Sequence, residues 1–127
     1  MDIQKQIEYW RTGAEEDFAA AQPLFEKGHF RHCLFFVHLA IEKAIKSHVV
    51  VQTKDVPPRI HDLVRLSRIA ELNLSKEQKD LLLEFGIYQL EGRYPDAQQM
   101  PMDRAFVKKE LARSKEMLEW LKSQLPV

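Results

Sequence analysis

The stretch from Phe30 to Gln52 constrains the fold more than any other, because it is apolar on nearly every side of a helix. A helix of this kind is buried between neighbouring helices, or is covered on one side by its own fold and on another by a partner subunit. The stretch therefore predicts a central helix, and it predicts a homodimer as readily as a core. Its apolar residues fall on three sides: Leu34, Val37, Ile41, Ala44 and Ile45; Phe36 and Ala40; and Phe35, Leu39 and Val49.

The other apolar residues recur at intervals of three and four, which is the period of an amphipathic helix. Prolines and glycines separate the periodic segments, and Pro23 should kink or end the first of them. We expect helices over residues 2–26, 30–52, 60–72, 75–92 and from 103 to about 125. Strand-like alternation does not occur in the sequence. The sequence predicts an all-α fold, an antiparallel up-and-down bundle of four long helices plus one short helix.

The starts of the last two helices are marked by capping residues. Ser75 and Gln78 have the spacing of a capping box, and Asp103 precedes the final helix. In the final helix the apolar positions alternate steps of four and three, as in a coiled-coil seam. The residues expected to face inward are Leu81, Leu82, Phe85, Tyr88 and Leu90 in the fourth helix, and Val107, Leu111, Ser114, Leu118, Leu121 and Leu125 in the fifth.

Length, charge and cysteine content limit the classes of function. The chain has 127 residues, and we expect residues 1–127 to form a single domain. Its 19 Lys and Arg balance its 19 Asp and Glu, so a site for nucleic acid or nucleotide must be a local patch. The lone Cys33 is expected in the core and cannot form an intramolecular disulfide. Without an apolar signal core or membrane span, the sequence predicts a cytoplasmic protein that does not contact membranes.

Charged residues on the second helix are grouped rather than scattered. Arg31, His38 and Glu42 lie on one side of the helix, and Lys46 follows Glu42 at the favourable spacing of four. One interpretation is a partly solvated stripe stabilised by pairs within the helix. The other is a polar seam at a cleft or subunit interface, where burial would shift the protonation equilibria of His38 and Glu42.

Three segments of the sequence resemble the HEPN domain, a helical module named for higher-eukaryote and prokaryote nucleotide binding. They are "CLFFVHLAIEKAIKSHVV", "RIHDLVRL" and "YQLEGRYPD", in this order along the chain. The resemblance implies a homodimer that pairs through its long helices and binds a nucleotide or RNA. It also implies a minimal nucleotidyltransferase as partner, in a pair of the toxin and antitoxin kind. We expect no cofactor.

The same resemblance implies a metal-independent ribonuclease activity, which in this family uses an Arg followed a few residues later by a His on a late helix. The matching segment here, "RYPDAQQM", contains no His. Arg31 and His38 have a suitable spacing, but they lie on the second helix. The sequence therefore favours a binding protein over an enzyme. A ribonuclease that uses Arg31 and His38, and a non-catalytic helical adaptor, remain as alternatives.

Basic residues around the start of the third helix form the first candidate binding site. His61 and Arg65 are spaced to share one face of that helix, and Lys46 belongs to the same positively charged region. Positive groups near a helix start can hold a phosphate against free backbone N–H groups. The alternative is an ordinary solvated basic face.

The end of the fourth helix is the second candidate. Tyr88, Arg93 and Tyr94 combine aromatic rings with a guanidinium, which together could clamp a base and a phosphate. The alternative is that Tyr88 packs in the core and that Arg93 pairs with a nearby carboxylate. We expect no metal site, because Glu26 and His29 form only a single Glu-x-x-His interrupted by a glycine.

Overall fold

The computed structural model describes residues 1–93 and 102–126, and the side chains of the first range as far as residue 90. Within these residues it contains five helices and no strand. This confirms the predicted all-α class with four long helices and one short helix. The helices are α1 (Ile3–Glu26), α2 (Phe30–Thr53), α3 (Leu63–Ile69), α4 (Lys76–Arg93) and α5 (Arg104–Ser123).

A tight turn joins α1 to α2. It passes through Gly28, whose φ of 79° lies in the left-handed region that favours glycine. Pro23 does not end α1, which continues to Glu26. The proline lies in the last turn, where its carbonyl still accepts a hydrogen bond from the Lys27 N–H at 3.1 Å. A proline this close to a helix end interrupts few of the helix's own hydrogen bonds.

The central helix of the bundle is α2, which packs against each of the other four helices. Many of its apolar side chains are buried, from Cys33 to Val50. Phe35, Phe36 and Leu39 lie together on another side of the helix and are only half-buried. Helices of the same protomer therefore cover most of α2 but leave this side partly exposed.

The short helix α3 is shorter than the predicted range 60–72. Its first turn is capped by Asp62, whose side chain accepts from the Arg65 N–H at 3.1 Å, so the helix begins only after this residue. At its other end Glu71 adopts a left-handed φ of 53°, which stops the helix. The difference arises because the cap at Asp62 and the conformation of Glu71 set the two ends of the helix. The apolar residues continue at helical spacing beyond both ends.

Helix α4 begins at the predicted capping box. The Ser75 N–H donates to Gln78 Oε1 at 2.9 Å, and the Gln78 N–H donates to Ser75 Oγ at 3.1 Å. Leu81, Leu82, Phe85 and Tyr88 are buried as expected. The prediction for Leu90 is wrong, since this side chain is 48% exposed. It lies two residues after Tyr88, and a step of two places it on a different side of the helix.

Helix α5 carries the predicted seam. Asp103 caps it by accepting from the Phe106 N–H at 2.8 Å, and Val107, Ser114 and Leu121 are buried. Its first residue, Arg104, also donates to the Phe25 carbonyl at 3.2 Å. The guanidinium carbon lies 4.9 Å from the centroid of the Phe25 ring. This contact attaches the start of α5 to the turn between α1 and α2.

The core contains the predicted cysteine. Cys33 is completely buried on α2, and burial raises the pKa of its thiol to about 11. A thiol with so high a pKa is protonated at neutral pH and behaves as a small apolar side chain. The interpretation of Cys33 as a core residue is confirmed.

Candidate functional site

A carboxylate on α2, that of Glu42, is surrounded by basic side chains. Lys46 Nζ donates to Glu42 Oε2 at 3.0 Å, and His61 Nδ1 lies 3.0 Å from Glu42 Oε1. His38 is farther away, with Nε2 at 3.9 Å from Glu42 Oε1. His38, Glu42 and Lys46 share a face of α2 because residues four apart lie one above the other. We name His38, Glu42, Lys46 and His61 the Glu42 cluster.

Solvent reaches the Glu42 cluster mainly at His61. The His61 side chain is 44% exposed, whereas those of Glu42 and Lys46 are 6% and 7% exposed. A carboxylate oxygen only accepts hydrogen bonds, so Nδ1 of His61 is the donor in this contact. In the neutral ring Nε2 is then the accepting nitrogen. Glu42 thus determines both the orientation and the tautomer of the exposed imidazole.

The segment before α3 positions His61 over α2. The Ile60 N–H donates to the Pro58 carbonyl at 2.9 Å, which forms a turn after the two prolines. Asp62 then caps α3, so His61 is the residue immediately before the cap. A proline turn on one side and a helix cap on the other leave the chain little freedom at this position.

A buried ion pair forms the inner part of the Glu42 cluster. The Lys46 ammonium that binds Glu42 also lies 5.3 Å from the centroid of the Trp10 ring on α1. Removing both charges from water is unfavourable unless each has a well-placed partner. The carboxylate and the face of the indole provide these partners for Lys46. The burial of Glu42 and Lys46 therefore argues against the first interpretation of the α2 charges, a partly solvated stripe.

The predicted basic cluster is only partly brought together. Lys46 and His61 meet through Glu42, as described above. Arg65 lies on α3 with an exposed side chain, one helical turn beyond His61. Its backbone N–H is the group that Asp62 caps. The structure thus places two of the three residues of this basic candidate, His61 and Arg65, at the surface and the third, Lys46, inside.

Tyr88 lies in the core between α4 and α5. It is 3% exposed, and its hydroxyl donates to Glu110 Oε2 at 3.1 Å. Burial raises the pKa of Tyr88, and the Glu110 charge and this hydrogen bond raise it further. Arg113 donates to both Glu84 at 2.7 Å and Glu110 at 2.8 Å, so the contact continues as a network. This is the core packing that the sequence left open as the alternative for Tyr88.

The other residues of that candidate are outside the described part. Arg93 is the last residue of α4, and its side chain is not among those described. Tyr94 and the rest of the segment up to residue 101 also fall outside the described residues.

Arg31 and His38 differ in their access to solvent. His38 is completely buried, and its ring stacks against Phe35 at a centroid distance of 6.4 Å. Arg31 is half-buried and precedes His38 by seven residues, which corresponds to about 10 Å along the helix axis. In this conformation the His38 ring cannot contact a substrate in solution.

Two parts of the site were missed by sequence reasoning. The contact between Glu42 and His61 joins residues 19 positions apart, and Trp10 comes from another helix. The acceptor roles of Glu84 and Glu110 toward Arg113 were also not predicted. The spacing of four from His38 to Glu42 and from Glu42 to Lys46 was the local pattern that pointed to the cluster.

The described residues contain no group of three or more His, Cys, Asp or Glu that could hold a metal ion. Among the same residues, no helix is both long enough and apolar enough to span a bilayer.

Fold and site together define a helical bundle whose central helix holds a buried carboxylate beneath an exposed histidine. The family model of the HEPN domain matches residues 7–124. The chain belongs to the HEPN domain family, which confirms the resemblance and supports a nucleotide-related function at a general level. A comparison with curated proteins gives no significant match.

Solved structures share the fold. The protein TT1696 from Thermus thermophilus is 19% identical, with a TM-score of 0.79 over 94% of this chain and 98% of that chain. ST0689, described as an archaeal HEPN homologue, is 21% identical, with a TM-score of 0.66 over 93% of this chain and 96% of that chain. At these identities the likeness shows the fold alone.

Proposed function

We propose that this protein binds the phosphate of a nucleotide or RNA at the outer edge of the Glu42 cluster. The observation that carries the proposal is the exposed imidazole of His61, held at Nδ1 by a buried carboxylate. A fixed imidazole needs little further ordering when a ligand arrives. Arg65 on the adjoining helix supplies a guanidinium, which suits phosphate geometry. Lys46, which is buried, neutralises the charge of Glu42.

Arg93 and Tyr94 complete the proposed site as contacts to the phosphate and the base. Tyr88 contributes indirectly, because its hydrogen bond to Glu110 supports α4. We further propose that the protein works as a homodimer with a minimal nucleotidyltransferase, in a pair of the toxin and antitoxin kind. Membership of the HEPN family supports this part of the proposal.

A thermal-shift titration with mono-, di- and trinucleotides tests the binding. At about one hundred times its dissociation constant, a ligand adds about 2.7 kcal/mol to the stability of the protein that binds it. We expect His61→Ala and Arg65→Ala to reduce the shift. His32→Ala is the matched control, because His32 is an exposed histidine outside the Glu42 cluster. Equal shifts in all variants would place the ligand elsewhere, and no shift in the wild type would favour the adaptor.

The ribonuclease alternative is tested separately. The burial of His38 disfavours it, because the general base must reach the ribose hydroxyl whose proton it takes. We expect no RNA cleavage in EDTA by the wild type. Cleavage that is lost in His38→Ala or Arg31→Ala, with unchanged helical content, would establish the enzyme instead.

A further inference from the structure

Helix α4 is apolar on two sides. The inner side faces the core through Leu81, Leu82, Phe85 and Tyr88. On the outer side three large apolar side chains remain exposed: Leu83 at 62%, Ile87 at 44% and Leu90 at 48%. Their spacing of four and three places them in one row along the helix. An exposed apolar row of this kind marks an interaction surface.

A glycine lies within this row. Gly86 is one turn from Leu83 and adjoins Ile87, and a Cβ built on it would meet nothing within 4 Å. The protomer therefore has no packing reason for a glycine here, and glycine is unfavourable inside a helix. At a contact between helices, a missing side chain leaves a depression that accepts a side chain from the other helix. We name Leu83, Gly86, Ile87 and Leu90 the α4 row.

The α4 row matches itself when one copy is turned end to end. A two-fold axis between residues 86 and 87 relates Leu83 to Leu90, and Gly86 to Ile87. In an antiparallel pair of α4 helices, each Ile87 then faces the depression at the other Gly86, and each Leu83 faces a Leu90. This is the self-complementarity that a two-fold interface requires.

The helix dipoles agree with the same arrangement. Antiparallel pairing places the positive end of one helix dipole beside the negative end of the other. Binding to a lipid surface or to an unrelated protein would not require a self-complementary surface, whereas binding to a second copy does.

We propose that the α4 row is the contact between two copies of this chain, whose α4 helices cross antiparallel at Gly86 and Ile87. The proposal rests on the homodimer of the proposed function and gives it a surface. It does not depend on nucleotide binding. It places the pairing on α4, whereas the sequence pointed to α2.

Sedimentation velocity on matched variants tests this surface. We expect a dimer for the wild type and a monomer for Ile87→Glu, since two carboxylates would be introduced into the contact. Val56→Glu is the control, because Val56 is an apolar residue that is 57% exposed and outside the row. We expect this variant to remain dimeric. Far-ultraviolet circular dichroism should show native helical content in both variants, because neither side chain belongs to the core.

A second variant tests the crossing point and avoids a new charge. Gly86→Leu fills the depression that Ile87 of the other copy would enter, while its Cβ has free space in the protomer. We expect a folded protein with a monomer–dimer dissociation constant raised at least tenfold. The smaller Gly86→Ala should raise it less.

The outcomes separate the two proposals. A wild type that is monomeric at every concentration overturns both the homodimer and the α4 row, whatever the nucleotide titration gives. A wild-type dimer that survives both Ile87→Glu and Gly86→Leu keeps the homodimer and overturns the α4 row. Loss of dimer in Val56→Glu as well as Ile87→Glu would also overturn it, because the effect would not be specific to the row.

Discussion

Glu42 and Lys46 are oppositely charged side chains that are both almost fully buried, so each depends on the other. We expect Glu42→Leu or Lys46→Met alone to lower the free energy of unfolding by about 3–5 kcal/mol, because an unpaired charge remains inside. The double variant should be less destabilised than the sum of the two, with a coupling of about 0.5–3 kcal/mol. Urea unfolding of the four proteins measures this coupling. Additive losses would mean that the two charges act independently.

His48 is a second buried histidine, whose Nε2 lies 2.7 Å from the Leu121 carbonyl near the end of α5. Burial lowers the pKa of His48 below its usual 6.5, although the hydrogen bond to Leu121 opposes this. The unfolded chain therefore takes up a proton more readily than the folded one as the pH falls below 6.5. We expect the free energy of unfolding to keep its full value above pH 6.5. Below pH 6.5 it should decrease until the pH reaches the lower pKa that His48 has in the folded state.

Unfolding by urea between pH 5 and 8 measures this dependence, with those pH limits set at about 1.5 units on either side of an ordinary histidine pKa. His48→Gln keeps a side-chain donor near Leu121 and removes the titration. Its stability should vary less over this interval than that of the wild type. An identical slope in both proteins would assign the pH dependence to another group.

Individual residues were predictable only where their partners are near in sequence. Glu42 and Lys46 were paired correctly because they stand four apart on one helix. His61, the member of the Glu42 cluster that is not on α2, follows two prolines, and helical periodicity cannot predict a contact across such a break. Tyr88 posed a different difficulty, because an aromatic ring near a helix end suits a core and a binding site equally well.

The C-terminal cap of α2 contains a strained residue. Lys54 adopts a left-handed conformation with φ of 58° while its N–H donates to the Val50 carbonyl at 2.9 Å. A side chain with a Cβ is unfavourable in this conformation, whereas glycine is not. We expect Lys54→Gly to raise the free energy of unfolding by up to about 1 kcal/mol. Lys54→Ala, which keeps the Cβ, should have little effect, and thermal unfolding of the two variants distinguishes strain from lost charge.

Helices and their capping residues were predictable because both depend on local chemistry. The capping box of Ser75 and Gln78 and the cap at Asp103 were found where expected. The wrong predictions concern which side of α4 is buried and where α3 begins and ends. Leu90 was assigned inward because it is apolar, although its step of two from Tyr88 places it on a different side of α4. The length of α3 was overestimated because the cap at Asp62 starts the helix late and the left-handed Glu71 ends it early.

At the scale of the whole molecule, the class of fold followed from periodicity, but the surface proposed to join two copies did not. If α4 pairs as proposed, unfolding also separates the two copies, and the melting temperature depends on protein concentration. We expect a tenfold rise in concentration to raise the melting temperature of the wild type by up to about 3 °C. Ile87→Glu should melt at one temperature at all concentrations, as measured by calorimetry. A concentration dependence that persists in this variant would contradict pairing through α4.

The complete burial of Cys33 has a practical consequence for studying this protein. Because its thiol stays protonated at neutral pH, maleimides and similar reagents should leave it unmodified in the folded state. A cysteine introduced at an exposed position would then be the one reactive thiol on the chain. Fluorophores and spin labels can be attached there without first removing Cys33 from the core.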